Sequence, residues 1–142
     1  MKNLKNLAVL LLTIVSMSAF AADGEKSEKL KIDYTLNTFV DAMANGQMED
    51  LRDILDERMK FTVVRFEKVI SYSKSQFLNS LKQSENVVQN CDTDYEMEKI
   101  GSSHALVKVI MIYESFTKIN YINLKNTKAG WKITSISSSY SK

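Results

Sequence analysis

The sequence predicts an α+β domain in which a curved antiparallel sheet wraps around N-terminal helices. Three features predict it. A segment after residue 30 repeats apolar residues at helical spacing, and a capping box later opens another helix. The C-terminal third then strings together β-type runs at Ala105 to Tyr113, Phe116 to Leu124 and Trp131 to Ile136, separated by short polar turns. No internal repeat or low-complexity segment interrupts this order.

Met1 to Ala21 reads as a secretory signal. Lys2 and Lys5 supply a positive start, Leu7 to Val15 is apolar apart from Thr13, and Ala19-Phe20-Ala21 offers small-x-small cleavage after Ala21. The apolar run falls short of the ~20 residues that span a bilayer. No cysteine near the cleavage point supports a lipid anchor. The expectation is a periplasmic or secreted protein with no stable membrane anchor after cleavage, residues 22–31 forming a leader and 32–142 one domain.

The chain has 19 basic and 17 acidic residues, and removal of Lys2 and Lys5 leaves 17 of each. A neutral domain lacks the basic face that nucleic acid demands. Cys91 is the only cysteine, so no intrachain disulfide can form. Asp92 and Asp94 beside it disfavour a thiolate nucleophile, and Cys91 reads as a half-buried strand residue.

Each element follows from its residues. Ile32, Leu36, Phe39, Val40 and Met43 share one helical face, and Asn45-Gly46 ends that helix, with Gly46 free to adopt the left-handed conformation. Met48, Leu51, Ile54 and Leu55 form the inward side of a second short helix. Lys60 to Phe66 switches to strand chemistry, which Val69 to Tyr72 continues or re-pairs. Ser73-Lys74-Ser75-Gln76 is a capping box opening a helix with Phe77, Leu78 and Leu81 on its apolar side.

Thr93 to Ile100 alternates, with Tyr95 and Met97 on one face and Asp92, Asp94, Glu96 and Glu98 on the other. Ala105, Val107, Val109, Met111 and Tyr113 are opposed by Leu106, Ile110 and Ile112, broken only by Lys108. Apolar residues on both faces predict a central strand covered on both sides. The four-strand meander curves, curvature leaves a cone, and the cone leaves a pocket.

Phe39-Val40-Asp41-Ala42-Met43-Ala44-Asn45-Gly46, with Leu51 and Ile54-Leu55, resembles the opening helices of the nuclear transport factor two-like superfamily. Tyr121-Ile122-Asn123-Leu124 through Gly130-Trp131-Lys132-Ile133 resembles its last hairpin. More narrowly, the chain is similar to the bacterial branch labelled lumazine-binding. The resemblance implies a cystatin-like α+β cone, homodimers through the outer sheet face, and a cavity used by some members for catalysis and by many for ligands. Two departures stand out. Members carry an acidic residue where this chain has Gln47, and the ketosteroid isomerase type needs a carboxylate and a Tyr where this chain has Val63 or Val64 and Phe39. That chemistry does not carry over.

The acidic row from Asp92 to Glu98 places neighbouring carboxylates about 6.6 Å apart along a strand, too far to share one calcium readily, so it reads as a solvated face answered by lysines. His104 is the sole histidine, which excludes a multi-histidine metal site and leaves only a lone proton-transfer candidate. Phe39, Tyr95, Tyr113, Tyr121 and Trp131 are the aromatics expected to contact a small apolar or aromatic ligand. Lys108 either pairs with an anionic ligand or extends to solvent. The reading is a non-catalytic, homodimeric binding domain for a small ligand or peptide, without cofactor or metal. The alternatives are an isomerase or cyclase using a pocket acid or His104, and an interaction module with a filled cone.

Overall fold

A computed structural model of the protein describes residues 30–142. The signal segment, and the leader apart from its last two residues, lie outside the described residues.

Helix α1 covers Ile32–Asn45 and buries Thr35, Leu36, Phe39, Ala42 and Ala44; of the expected stripe Leu36 and Phe39 are buried, while Ile32, Val40 and Met43 are half-buried against the core. Gly46 ends it at φ 69° and ψ 20°, its N–H donating to the Asp41 carbonyl. The chain then runs through α2 (Leu51–Ile54), β1 (Leu55–Arg65), β2 (Lys68–Ser73), α3 (Lys74–Ser80), a 3-10 turn at Lys82–Ser84, β3 (Asp92–Ile100), β4 (His104–Ile112), β5 (Thr117–Thr127) and β6 (Gly130–Ser141). The capping box is present at α3: Gln76 N–H donates to Ser73 Oγ, and Ser73 N–H donates to Gln76 Oε1.

One six-stranded sheet results, in the order β2-β1-β6-β5-β4-β3. The sequence leads to an antiparallel sheet, and every pair is antiparallel except β1 with β6, which run parallel. The meander from β3 to β6 leaves β6 with an open edge, and β1 presents the matching unpaired edge beside it. Joining them satisfies both rows of backbone groups. Two boundaries also differ. The second helix is a single turn that starts after Met48, and β1 begins at Leu55 rather than Lys60. Val69 to Tyr72 re-pairs with β1 as part of β2, through a two-residue turn at Phe66-Glu67.

The core lies between the helices and the concave sheet face, where Leu36, Phe39, Leu51, Val107, Ile122 and Ile136 are buried. Each such side chain contributes about 1.5–3 kcal/mol by leaving water. Thr35 Oγ1 donates to the Trp131 carbonyl at 2.9 Å, tying α1 to the start of β6. The expectation that β4 is covered on both faces needs correction. Ala105, Val107, Val109 and Met111 are buried, whereas Leu106 and Ile110 are half-buried and Ile112 is 50% exposed. In this chain β4 is interior to the sheet but covered on one side only.

Candidate functional site

Register builds the site. Residues two apart on a strand share a face, so the inward residues of β1, β6 and β5 fall into rows across the sheet. Phe61, Ile136 and Ile122 form the deepest row, and Val63, Ser138 and Asn120 the next. Arg65, Tyr140 and Lys118 continue the same spacing at the outer end. The concave face therefore grades from apolar, through small polar, to cationic.

α1 and α3 roof these rows and enclose a cavity of about 270 Å³. Phe39 and Met43 of α1, Phe61 and Val63 of β1, Tyr72 of β2 and Phe77 of α3 supply its apolar and aromatic walls. Phe61 packs between Tyr72 at 5.8 Å and Phe77 at 4.8 Å, ring centre to ring centre. Polar lining comes from Ser80, Asn120, Lys118, Arg65 and Tyr140. Arg65 and Tyr140 are exposed and mark the rim.

Asn120 is the unusual residue. It is 1% exposed, and its Oδ1 accepts a hydrogen bond from Ser138 Oγ. Its Nδ2 has no partner. Leaving a buried donor unsatisfied costs about 1–3 kcal/mol, and native proteins carry few such groups.

Lys118 stands beside it, its Nζ 6.0 Å from the centre of the Tyr140 ring, where the π face attracts the cation. Burial lowers the Lys118 pKa below its ordinary value of 10.5, and the positive charge of Arg65 lowers it further. Among the described residues, no carboxylate lies within salt-bridge distance of Lys118 or Arg65. Tyr140 also continues into an aromatic stack, Phe116 lying 5.9 Å from it and Tyr113 4.4 Å from Phe116.

Of the five expected aromatics, Phe39 lines this cavity. Tyr95 faces the concave side but is held by its hydroxyl donating to Asp33 Oδ1 at 3.2 Å. Burial, then the neighbouring Asp33 carboxylate, raises its pKa. Tyr113 lies outside the cavity, in the stack near Cys91, and burial followed by that cysteine pushes its pKa up to about 12. Tyr121 points to the convex face and is 41% exposed. Trp131 is buried at the start of β6 as part of the core. His104 is exposed in register with Lys125, on the convex face, with Nδ1 3.0 Å from Ser103 Oγ. The cavity and His104 are on opposite sides of the sheet.

The acidic row is interrupted by a bulge between Met97 and Lys99, and Glu96 Oε2 lies 3.8 Å from Lys108 Nζ on the neighbouring strand. Lys108 thus answers a carboxylate rather than facing the pocket. Among the described residues, no three His, Cys, Asp or Glu side chains are grouped to hold a metal ion. A larger cleft of about 450 Å³ lies beside α1 and the Gly46 loop, lined by Asp41, Glu49, Asp50 and Glu85 among others. It is an acidic surface depression without an apolar wall comparable to that of the cone.

Solved structures settle the fold. A protein of unknown function from Silicibacter pomeroyi, described as NTF-2 like, matches with a TM-score of 0.67 at 13% identity, over 78% of this chain and 92% of that chain. The chain has the NTF2-like cone fold. An NTF2-like protein of unknown function from Methylobacillus flagellatus matches with a TM-score of 0.65 at 13% identity, over 80% of this chain and 97% of that one. A protein from Shewanella frigidimarina, provisionally named a ketosteroid isomerase, gives 0.56 at 17% identity, over 75% and 92% of the two chains. No protein-family model and no curated protein matches the chain. Within this NTF2-like cone, Phe39 and Val63 line the cavity and Val64 points outward.

Proposed function

We propose that the protein is an exported, non-catalytic domain that binds a small organic ligand in the cone. The supporting observation is the unpaired Asn120 amide, buried at a cavity whose other walls are largely apolar and aromatic. A planar or apolar body fits against Phe39, Phe61 and Phe77, while one acceptor atom satisfies the amide. The volume of about 270 Å³ suits a small molecule better than a peptide segment and leaves the cone incompletely filled. Among the described residues, no carboxylate or imidazole lines the cavity, where an isomerase or cyclase working through such a group needs one. The export reading rests on Lys2, Lys5, Leu7 to Val15 and Ala19-Phe20-Ala21.

Native mass spectrometry of residues 22–142, purified gently from the periplasm or secreted fraction, tests the reading. An added mass that is lost on denaturation, and is absent from a cavity-filling Ser80→Trp variant, is expected. A bare chain in both proteins counts against a tightly held ligand. The same reading makes the domain a homodimer through the convex face, where Ile112 and Tyr121 are 50% and 41% exposed. Sedimentation of the protein and of an Ile112→Glu variant reads that out, dimer and monomer being the expected pair.

A further inference from the structure

The outer row of the concave face gives the ligand a chemical class, provided the binding reading above holds. We infer that the cone selects small amphipathic carboxylates, with the acid group held at Asn120, Lys118 and Arg65 and the apolar body directed inward. Asn120 and Lys118 are successive inward positions on β5, and Arg65 follows Val63 at the same spacing on β1. The strand order puts only β6 between them. Two cations and one unpaired amide donor thus converge on one end of a single cavity.

Placing like charges together is unfavourable unless an anion lies between them or solvent screens them. Arg65 is exposed and Lys118 half-buried, and no carboxylate of the described residues pairs with either. Lys118 is instead set over the face of Tyr140. Such a group lacks the counter-charge that a structural lysine ordinarily finds. Lys74, which is buried, shows the contrast: it is paired with Glu57 at 2.9 Å and with the Leu55 carbonyl at 3.0 Å.

A carboxylate supplies what this end of the cavity lacks. One oxygen can accept from Asn120 Nδ2 and the other from Lys118 Nζ, forming charge-assisted hydrogen bonds away from bulk water. Arg65 adds attraction at the rim. A neutral ligand of the same shape satisfies the amide and leaves the charges unmatched; an amine adds a third cation. Both the sign of the ligand charge and its end-on orientation follow.

Isothermal titration calorimetry with octanoate, octan-1-ol and octylammonium decides it, using the protein and its Lys118→Met, Arg65→Gln and Asn120→Leu variants. Octanoate is expected to bind the unmodified protein at least tenfold more tightly than octanol, and octylammonium more weakly than either. Lys118→Met, which keeps the side-chain length and removes a half-buried charge, is expected to abolish most of the octanoate preference while leaving octanol binding within about twofold. Arg65→Gln changes an exposed residue and should reduce the preference with the fold intact. Equal binding of octanoate and octanol, or a preference unaffected by both cation substitutions, overturns the carboxylate inference but keeps the pocket. Failure of all three probes to bind overturns the pocket reading as well.

Discussion

Lys74 reaches from the start of α3 to the carbonyl of Leu55, its Nζ donating at 3.0 Å. That carbonyl lies where the register of β1 against β6 shifts, between Leu55 and Lys60, so the regular exchange of backbone bonds is broken there. A lysine buried to 8% exposure supplies a donor to the gap, and it simultaneously fixes α3, whose Phe77 walls the cavity. Lys74→Met is expected to lower unfolding free energy by about 1–3 kcal/mol, because it leaves a buried acceptor unmatched. Glu57, whose side chain is 90% exposed, contributes little to the same contact. Glu57→Gln should change stability by less than about 0.5 kcal/mol. Denaturant titration of both variants checks the contrast.

Gly46 tolerates no side chain. Its φ is 69°, and a Cβ there would stand 2.5 Å from the Ser84 carbonyl oxygen and 2.6 Å from the Val87 amide nitrogen. The loop after the 3-10 turn is bonded closely across it, with Asn86 N–H donating to the Gly46 carbonyl at 2.9 Å. Left-handed strain of about 1–2 kcal/mol and overpacking of about 1–3 kcal/mol both act on Gly46→Ala. A loss of about 2–5 kcal/mol is expected by thermal or chemical unfolding. A loss below about 1 kcal/mol would mean that the loop moves aside cheaply.

The β1–β2 turn should be improvable. Phe66 and Glu67 hold φ values of 47° and 63°, a conformation that two-residue hairpins ordinarily give to Asn and Gly. Phe66 is 98% exposed and gains no packing in return. Replacing the pair by Asn-Gly is expected to raise stability by about 1–2 kcal/mol. The midpoint of thermal unfolding reports the gain, and an unchanged or lower midpoint would show that the turn carries no strain.

Alkaline pH separates two groups of opposite sign. The folded pKa of Lys118 is lowered by burial and by Arg65, so between that value and 10.5 the unfolded chain retains a proton that the native chain has released. Stability contributed by this group rises with pH through that window. Tyr113 is raised from 10.0 to about 12 by burial and by Cys91, so the native chain retains the proton there and stability falls with pH between those values. Lys118→Met should flatten the first trend. In a phenolate absorbance titration, Tyr113→Phe should remove a phase near pH 12; persistence of that phase assigns it to another tyrosine.

Much of the fold was legible because its signals are local. Ser73 and Gln76 announce α3, Gly46 announces the end of α1, and alternation from Ala105 to Met111 announces β4. The parallel pairing of β1 with β6 was not legible, since it joins residues 75 or more positions apart and depends on which edge remains open. The β2 hairpin was ambiguous because Phe66-Glu67 carries no turn chemistry. At the site, Phe39 was accessible as a helix-face residue. Asn120 and Lys118 were missed because a polar residue in a strand is ordinarily assigned to the wet face. Counting back by twos from the buried Ile122 would have turned both inward. Tyr121 takes the convex face because aromatic character does not specify which side of a sheet a residue takes, whereas Trp131 faces inward but packs into the core rather than lining the cavity.

The position of β6 also determines when the domain can exist during its own synthesis. β6, which follows the other five strands in the chain, is inserted between β1 and β5 rather than added at a margin. Until residues 130–141 are available, β2 with β1 and β5 with β4 and β3 are two fragments with no shared backbone bonds, and the cavity has no continuous floor. The sheet therefore closes only once residues 130–141 are in place. Loss of residues 130–141 thus removes the middle of the molecule, not its fringe.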